Sequence, residues 1–206
     1  LVIWHLDGPA SATPLVNSRY DAASAAMVFT TTHLSAFAVA APSHRFGDLQ
    51  RVAWANDAID AMAARDVIRG VSETRYEPHA EVTRADFIAL LVRALELRGS
   101  GSATVAFSDV SSSAYYYDEL AIASELGIAR GTGDGRFEPT LAISRQDVMT
   151  LVQRALAAAD RELPAGGSLD RFADQAEVAA YARESAAALV AAGIVQGVGD
   201  GKLEPR

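Results

Sequence analysis

Apolar residues recur along this chain with two different periods. At Phe87, Leu90, Leu91, Ala94 and Leu95 they follow i, i+3, i+4, i+7, i+8, and Val148, Leu151, Val152, Ala155 and Leu156 repeat that spacing. This is the signature of an amphipathic helix. Thr83 and Ser144 precede the two stripes, with Asp86 and Asp147 three residues on, so both helices are predicted to start on a capping pattern. A second, shorter stripe is Ala55, Ile59 and Met62, matched by Tyr116, Leu120 and Ala123, then by Ala182, Ala186 and Leu189. Gly127-Ile128 and Gly193-Ile194 follow two of these stripes and predict left-handed helix ends. Asp66 stands at the same place after the first stripe and tolerates that backbone better than most residues.

Residues 1–41 follow the other period. Leu1–Leu6 and Ala26–Thr31 alternate or cluster β-formers, and Ala36–Ala40 is a third short apolar run. Pro9, Pro14 and Asn17 punctuate them. The segment reads as the closing strands of an incomplete β-sandwich-like module. Three strands alone are marginal, so they are expected to be poorly anchored unless they pack on the helical repeats.

Between the two helical stripes one phrase occurs three times. It reads GVSETRYEP from Gly70, GTGDGRFEP from Gly131 and GVGDGKLEP from Gly197. Self-similarity at about sixty residues defines a repeat architecture and suggests repeated binding more than a single catalytic centre. The first two repeats align without a gap at an offset of 61, from Phe46/Phe107 to Leu95/Leu156. The third opens at Phe172, needs one inserted residue, and stops at Arg206 before a second helix begins. The GDG of repeats 2 and 3 favours a tight turn with positive φ; Ser72-Glu73-Thr74 in repeat 1 predicts a loop of different shape. Gly99–Thr104 and the stretch 160–171 have flexible-linker composition. The expected domains are 1–41, then repeats at 46–102, 107–163 and 172–206.

Composition narrows the function. Half of the 206 residues are hydrophobic and 21% are charged, enough for a globular core. No run of eighteen apolar residues exists, so no membrane span is expected. Cysteine is absent, which excludes disulfides and thiolate metal sites. The net charge of −8 lies wholly beyond residue 45 and argues against a nucleic-acid partner. The chain starts at Leu1 and stops mid-pattern, so it reads as a piece whose targeting segment would lie upstream.

Phe-x-Asp at Phe46/Asp48, Phe107/Asp109 and Phe172/Asp174, the glycine-apolar helix end, GDGRFEP and Thr83-Arg84-Ala85-Asp86 together resemble the S-layer homology (SLH) family. The likeness covers about residues 46–206. Repeat 2 departs with Ser144-Arg145-Gln146-Asp147, which keeps the Arg and the acid. The resemblance implies a mainly α fold, a pseudo-threefold helical spindle formed within one chain. It implies grooves between repeats that bind secondary cell-wall polysaccharide linked to peptidoglycan, typically through pyruvylated N-acetylmannosamine. It further implies non-covalent anchoring of a surface protein or exoenzyme at the cell wall, and a secreted location.

A pyruvylated sugar has one carboxylate, an apolar ring face and many hydroxyls, so its site needs a cation, an aromatic platform and open backbone amides. The candidate cations are Arg84 and Arg145, with Arg69 and Arg130 before the glycine; a salt bridge from Arg84 or Arg145 to an opening Asp is the alternative. Gln196 replaces the Arg69/Arg130 type in repeat 3. Trp54, Tyr115 and Tyr181 occupy equivalent places on the first helix and would stack on sugar or pack in the core. Gly70, Gly131 and Gly197 would admit sugar to the backbone or satisfy φ. Asp48, Asp109 and Asp174 are expected to cap or brace loops first and touch sugar hydroxyls second.

Enzyme readings find little support in the pattern. His5, His33, His44 and His79 are scattered without a recurring Asp or Ser partner. One Asp per GDG turn, missing in repeat 1, is too few ligands for calcium. No metal, cofactor or catalysis is therefore expected in this stretch. Any enzyme would lie upstream. The alternative reading is a protein-protein docking module of an extracellular complex, with or without calcium.

Overall fold

The computed structural model describes residues 1–8, 11–41 and 46–206. Pro9 and His44 lie outside the described residues. The chain divides into two units, Leu1–Ala80 and Glu81–Arg206.

In the first unit, β1 (Val2–Gly8) pairs antiparallel with β2 (Ser11–Pro14) on one side and β5 (Phe37–Ala40) on the other, giving the order β2-β1-β5. The separate ribbon β3 (Arg19–Asp21) and β4 (Ala26–Val28) is also antiparallel. The periodicity had predicted three strands; β2 and β3 escaped it because they are short and mostly solvent-facing, with no apolar alternation to betray them. The sheet is tied down by polar contacts. The Ile3 amide donates to buried Ser18 Oγ at 3.2 Å, and Arg65 Nη2 donates to the Ser18 carbonyl at 2.9 Å. Arg65 follows α1 (Asn56–Ala63), so the β segment is anchored on the first repeat.

Helix α1 is preceded by a 3-10 segment, Gln50–Ala55. Its buried face comprises Val52, Ile59 and Ala63. Met62, predicted on that face, is exposed. From Ile59 the next buried position is Ala63, four residues on, and Met62, three residues on, falls at the edge of that face.

The second unit holds α2 (Arg84–Ala94), α3 (Tyr117–Glu125), α4 (Arg145–Ala158) and α5 (Arg183–Ala191). The described fold is thus mainly α with short antiparallel strands. Both predicted caps form: Thr83 Oγ1 accepts from the Asp86 amide at 3.1 Å, and Ser144 Oγ accepts from the Asp147 amide at 3.2 Å. Helix α2 is apolar around most of its surface, and its deepest side is Ala85, Ile88, Ala89 and Val92 rather than the predicted stripe. Phe87, Leu91 and Leu95 are half-buried against the same core as Leu120, Ile128 and Phe137. A second cluster joins Met149 to Phe172, Leu189 and Leu203. The predicted stripe Ala182, Ala186 and Leu189 is fully buried there.

One step occurs twice in this unit. The Ala85 amide, in the first turn of α2, donates to the Pro139 carbonyl at 3.1 Å; the Gln146 amide of α4 donates to the Pro205 carbonyl at 2.9 Å. Each second helix therefore seats its N-terminus on the closing proline of the next repeat's phrase. The orphan amides of a helix start are satisfied this way. The linkers are fastened despite their composition. The Ser100 amide donates to the Glu125 carboxylate, and Gly167 lies so close to the Ala187 carbonyl that a Cβ would overlap it.

Gly127 and Gly131 test the backbone argument. Both have left-handed φ, +69° and +73°. A Cβ at Gly127 meets open space, whereas one at Gly131 would lie 2.5 Å from the Arg136 carbonyl and 2.8 Å from the Phe107 ring. Gly127→Ala should cost about 1–2 kcal/mol from the backbone alone. Gly131→Ala should cost clearly more in the same urea titration, and equal losses would refute the packing role of Gly131.

Candidate functional site

The repeated phrase is held by its opening aspartate. Asp109 accepts from the Phe137 and Glu138 amides at 2.9 and 2.8 Å, and Asp174 accepts from Leu203 and Glu204, both at 2.8 Å. In the first unit Asp48 does the same for Tyr76 and Glu77. Glu77, Glu138 and Glu204 each adopt a left-handed φ, 61°, 57° and 51°, and this turns two successive amides toward one carboxylate. The Tyr76 and Glu77 amides hold the Asp48 carboxyl below its ordinary pKa, and the Leu203 amide does so for Asp174. At Asp109 burial pushes the pKa up, but the Phe137 and Glu138 amides outweigh it and the net shift is downward. The expected bracing role is what these contacts perform.

The turn within the phrase closes in the same way in all three copies, by a bridge Ser72↔Arg75, Gly133↔Arg136 or Gly199↔Lys202. The backbone inside differs as expected. Gly133, Asp134 and Gly135 all have positive φ, and so do Gly199, Asp200 and Gly201, whereas residues 72–74 have none. Gly131 and Gly197 combine positive φ with close approach of a Phe ring and a carbonyl. Gly70 lacks the positive φ but has the same neighbours, Phe46 and the Arg75 carbonyl.

Arg84 does not face solvent. It is 6% exposed, its Nε donates to the Phe137 carbonyl at 2.9 Å, and its guanidinium lies 4.9 Å from the Phe137 ring centroid. Its Nη1 is 3.4 Å from Asp147, so its ion-pair partner is the α4 cap acid and not an opening Asp. Arg145, its counterpart, is half-buried, with its Nε enclosed and without a hydrogen-bond partner.

The three aromatics are on the surface: Trp54 is 88% exposed, Tyr115 68% and Tyr181 54%. None lies within an α-helix. Trp54 and Tyr181 sit in 3-10 segments and Tyr115 in the turn before α3. Tyr115 donates its hydroxyl to Asp86 Oδ1 of α2, and Tyr181 donates to Asp147 Oδ1 of α4 at 2.8 Å. Burial and then these carboxylates push both phenols up to about 12. Each acid spends its other oxygen on its own helix cap. A clamp of tyrosine on cap acid thus joins the start of α2 to the lead-in of α3, and another joins the start of α4 to the lead-in of α5. Asp86 and Asp147 were legible in the sequence as caps only, since the partner tyrosines lie 29 and 34 residues away.

The surroundings of the two clamps differ in charge. Beside the first, Arg93 pairs with Glu119 at 2.7 Å. The counterpart of Arg93 is Arg154, and that of Glu119 is Ser185; Arg154 Nη1 donates to the Ile128 carbonyl at 3.2 Å. Arg130 donates to the Gly127 carbonyl, whereas its counterpart Arg69 pairs with Asp66 at 2.7 Å. Among the described residues no carboxylate lies within salt-bridge distance of Arg130 or Arg154. Burial, and then the nearby Arg130 charge, lower the Arg154 pKa, and the Asp147 charge, beyond ion-pair distance, opposes them in part. Sequence reasoning missed Arg93 and Arg154 because they lie on the helices' second half, outside the repeated motif. Two open depressions of about 460 Å³ each adjoin the linkers, at Arg161–Gly167 and at Ser100–Phe107, and neither includes a tyrosine clamp. Among the described residues no three of His, Cys, Asp and Glu converge as a metal cage would require.

The Asp109 brace should respond to pH. Because the folded pKa of Asp109 lies below its unfolded value, its stabilising contribution is complete above about pH 4 and is lost as pH falls further. Asp109→Asn should therefore be less stable than the parent at neutral pH, and the gap in urea midpoint should narrow below that pH; a gap independent of pH would refute the brace. Arg84→Ala, which strands a buried carbonyl and half of an ion pair, should lower the unfolding free energy by roughly 1–3 kcal/mol, and an unchanged melt would refute its interior role.

The family model described as S-layer homology domain matches residues 45–88, 106–149 and 171–206. Over 191 residues the chain is 29% identical to an amylopullulanase of Thermoanaerobacterium thermosulfurigenes, covering 93% of this chain and 10% of that protein. It is 30% identical to the S-layer protein sap of Bacillus anthracis over 168 residues, 82% of this chain and 20% of that one. It is 28% identical to a surface-layer 125 kDa protein of Lysinibacillus sphaericus over 179 residues, 87% of this chain and 14% of that one. The chain spans a tenth to a fifth of these relatives, and the enzymatic activity named for the first lies in parts that do not match. The three matched repeats make the chain a member of the S-layer homology domain family, a cell-surface, wall-associated module.

Proposed function

We propose that this stretch anchors a surface protein or exoenzyme by binding an acidic cell-wall glycan, and that the α4/α5 groove is its principal site. The reading includes the pseudo-threefold spindle and the inter-repeat grooves that the family resemblance implies. What supports that geometry is the repeated step in which α2 and α4 each seat on the next repeat's proline. The relatives whose names include an S-layer protein and an amylopullulanase support the anchoring role for different cargoes.

One observation carries the choice of groove. Arg130 and Arg154 end on backbone carbonyls, while Arg93, the counterpart of Arg154, is neutralised by Glu119. A guanidinium without a carboxylate in a partly desolvated site favours a ligand that brings one, such as a pyruvyl ketal. The exposed Tyr181 ring, fixed at its hydroxyl by Asp147, offers a flat apolar face to a pyranose at little entropic cost. The opening aspartates are spent on backbone amides, so sugar contact would come second for Asp109 and Asp174. Trp54 is available as a third platform by its exposure.

Co-sedimentation with purified cell-wall polysaccharide tests this. Replacing Arg130 and Arg154 together by Ala should weaken binding at least tenfold, since each charge-assisted hydrogen bond is worth about 1.5–3 kcal/mol. Ser185→Glu, which supplies the missing carboxylate, should weaken it similarly; Glu119→Ser should preserve or raise it. Removal of pyruvate from the glycan should mimic the double variant. Undiminished binding by the folded double variant would overturn the choice of groove, and no binding by the parent chain would overturn the function.

A further inference from the structure

Outside the repeats, the N-terminal sheet brings two histidines together. His5 lies on β1, opposite Phe37 of β5. Its Nδ1 is 2.7 Å from Asp7 Oδ1, and Thr13 Oγ1 donates to the other oxygen of that carboxylate at 2.7 Å. Asp7 thus accepts a hydrogen bond from the Nδ1–H and leaves Nε2 with its lone pair, a tautomer assigned from the contact. That Nε2 is 3.3 Å from Nε2 of His33, which sits in the exposed loop before β5. The rings cross at 73° with centroids 4.8 Å apart, so they do not stack. Phe37 lies behind His5 at 5.5 Å between ring centroids, with Phe29 packed on Phe37 at 4.8 Å, so the pair has an apolar backing.

The separation of the two nitrogens is informative. Tetrahedral zinc with Zn–N of about 2.0–2.1 Å places its nitrogen ligands about 3.3–3.4 Å apart. We propose that His5 and His33 form a two-imidazole site for one divalent transition ion of the zinc, copper and nickel class. Asp7 is the orienting carboxylate. Imidazole donors suit these ions and not calcium or magnesium, which prefer oxygen. Two protein ligands leave open positions for water, so the ion exchanges freely. Bound, it ties strand β1 to the loop that leads into β5, a link between elements 28 residues apart in sequence.

Asp7, His5 and Ser35 also stand in the order of an acyl-transfer relay, with Ser35 Oγ 2.7 Å from His5 Nε2. His33 argues for the ion instead. One lone pair on His5 cannot accept from both Ser35 and His33, whereas a cation uses the lone pairs of both rings and frees the Ser35 hydroxyl for a metal-bound water.

Calorimetric titration of the 206-residue chain, without a histidine tag and in chelator-stripped buffer, decides it. ZnCl2 should bind at one ion per chain, and CaCl2 should give no heat. His33→Ala, in an exposed loop, should abolish the zinc signal while circular dichroism stays unchanged, and His5→Ala should do the same. Asp7→Asn should weaken binding about 10–100-fold, and His79→Ala should not alter it. Cobalt substitution gives a second readout, visible d–d bands that disappear in His33→Ala. Zinc binding that survives His33→Ala, or a parent chain that binds none, overturns the proposal.

Discussion

A single carboxylate gripping two successive amides underlies the organisation of each repeat. Asp48, Asp109 and Asp174 each bind the amides of the apolar residue and the Glu in the repeated phrase. The grip requires Glu77, Glu138 and Glu204 to take a left-handed backbone that a non-glycine residue avoids. The charge-assisted hydrogen bonds offset that strain, and the lowered aspartate pKa values express the same interaction from the proton's side. Once the phrase is fixed, its apolar residue is delivered to the core, as Phe137 and Leu203 show by their full burial. Its proline carbonyl is presented to the neighbouring helix. The brace and the seat are therefore consecutive links of one chain of contacts.

From that frame the second helices inherit both their position and their chemistry. Seated on Pro139 and Pro205, α2 and α4 place Asp86 and Asp147 where a tyrosine from the following repeat can reach them. A capping acid has two oxygens, and the cap needs one. The second is free to orient an aromatic ring at the surface. Arg84 serves the same frame from inside, where it satisfies the Phe137 carbonyl and lies over that residue's ring. Arg84 at N1, against the helix dipole, thus has a structural reason, which Arg145 does not share.

Repeats that share one frame nevertheless surround their tyrosine clamps with unequal charge. Within the second unit the difference rests on a residue outside the repeated phrase, Glu119 against Ser185. Glu119 neutralises Arg93, and Ser185 leaves Arg154 without that carboxylate. The net charge of −8 conceals this, because a local surplus of guanidinium can sit within an acidic chain. Local pairing, and not overall charge, decides where an anionic partner is favoured.

The repeat, the helices with their Thr83 and Ser144 caps, the left-handed Gly127 and Gly193, and the bracing role of the aspartates were all legible in the sequence. Each is fixed by interactions within a few residues or by a motif written more than once. The short strands β2 and β3 were not, since their pairing depends on β1 and β4 and leaves little apolar pattern. Nor was the inward turn of Arg84, the exposure of Trp54, Tyr115 and Tyr181, or the joining of His5 to His33. Hydrophobic periodicity states that an element has a buried face, but for an all-round apolar helix such as α2 not which side lies deepest, and never which residue of another element stands opposite. Side chains of mixed character can go either way until a carbonyl, a carboxylate or a second imidazole is brought within about 3 Å, and only the tertiary structure supplies that neighbour.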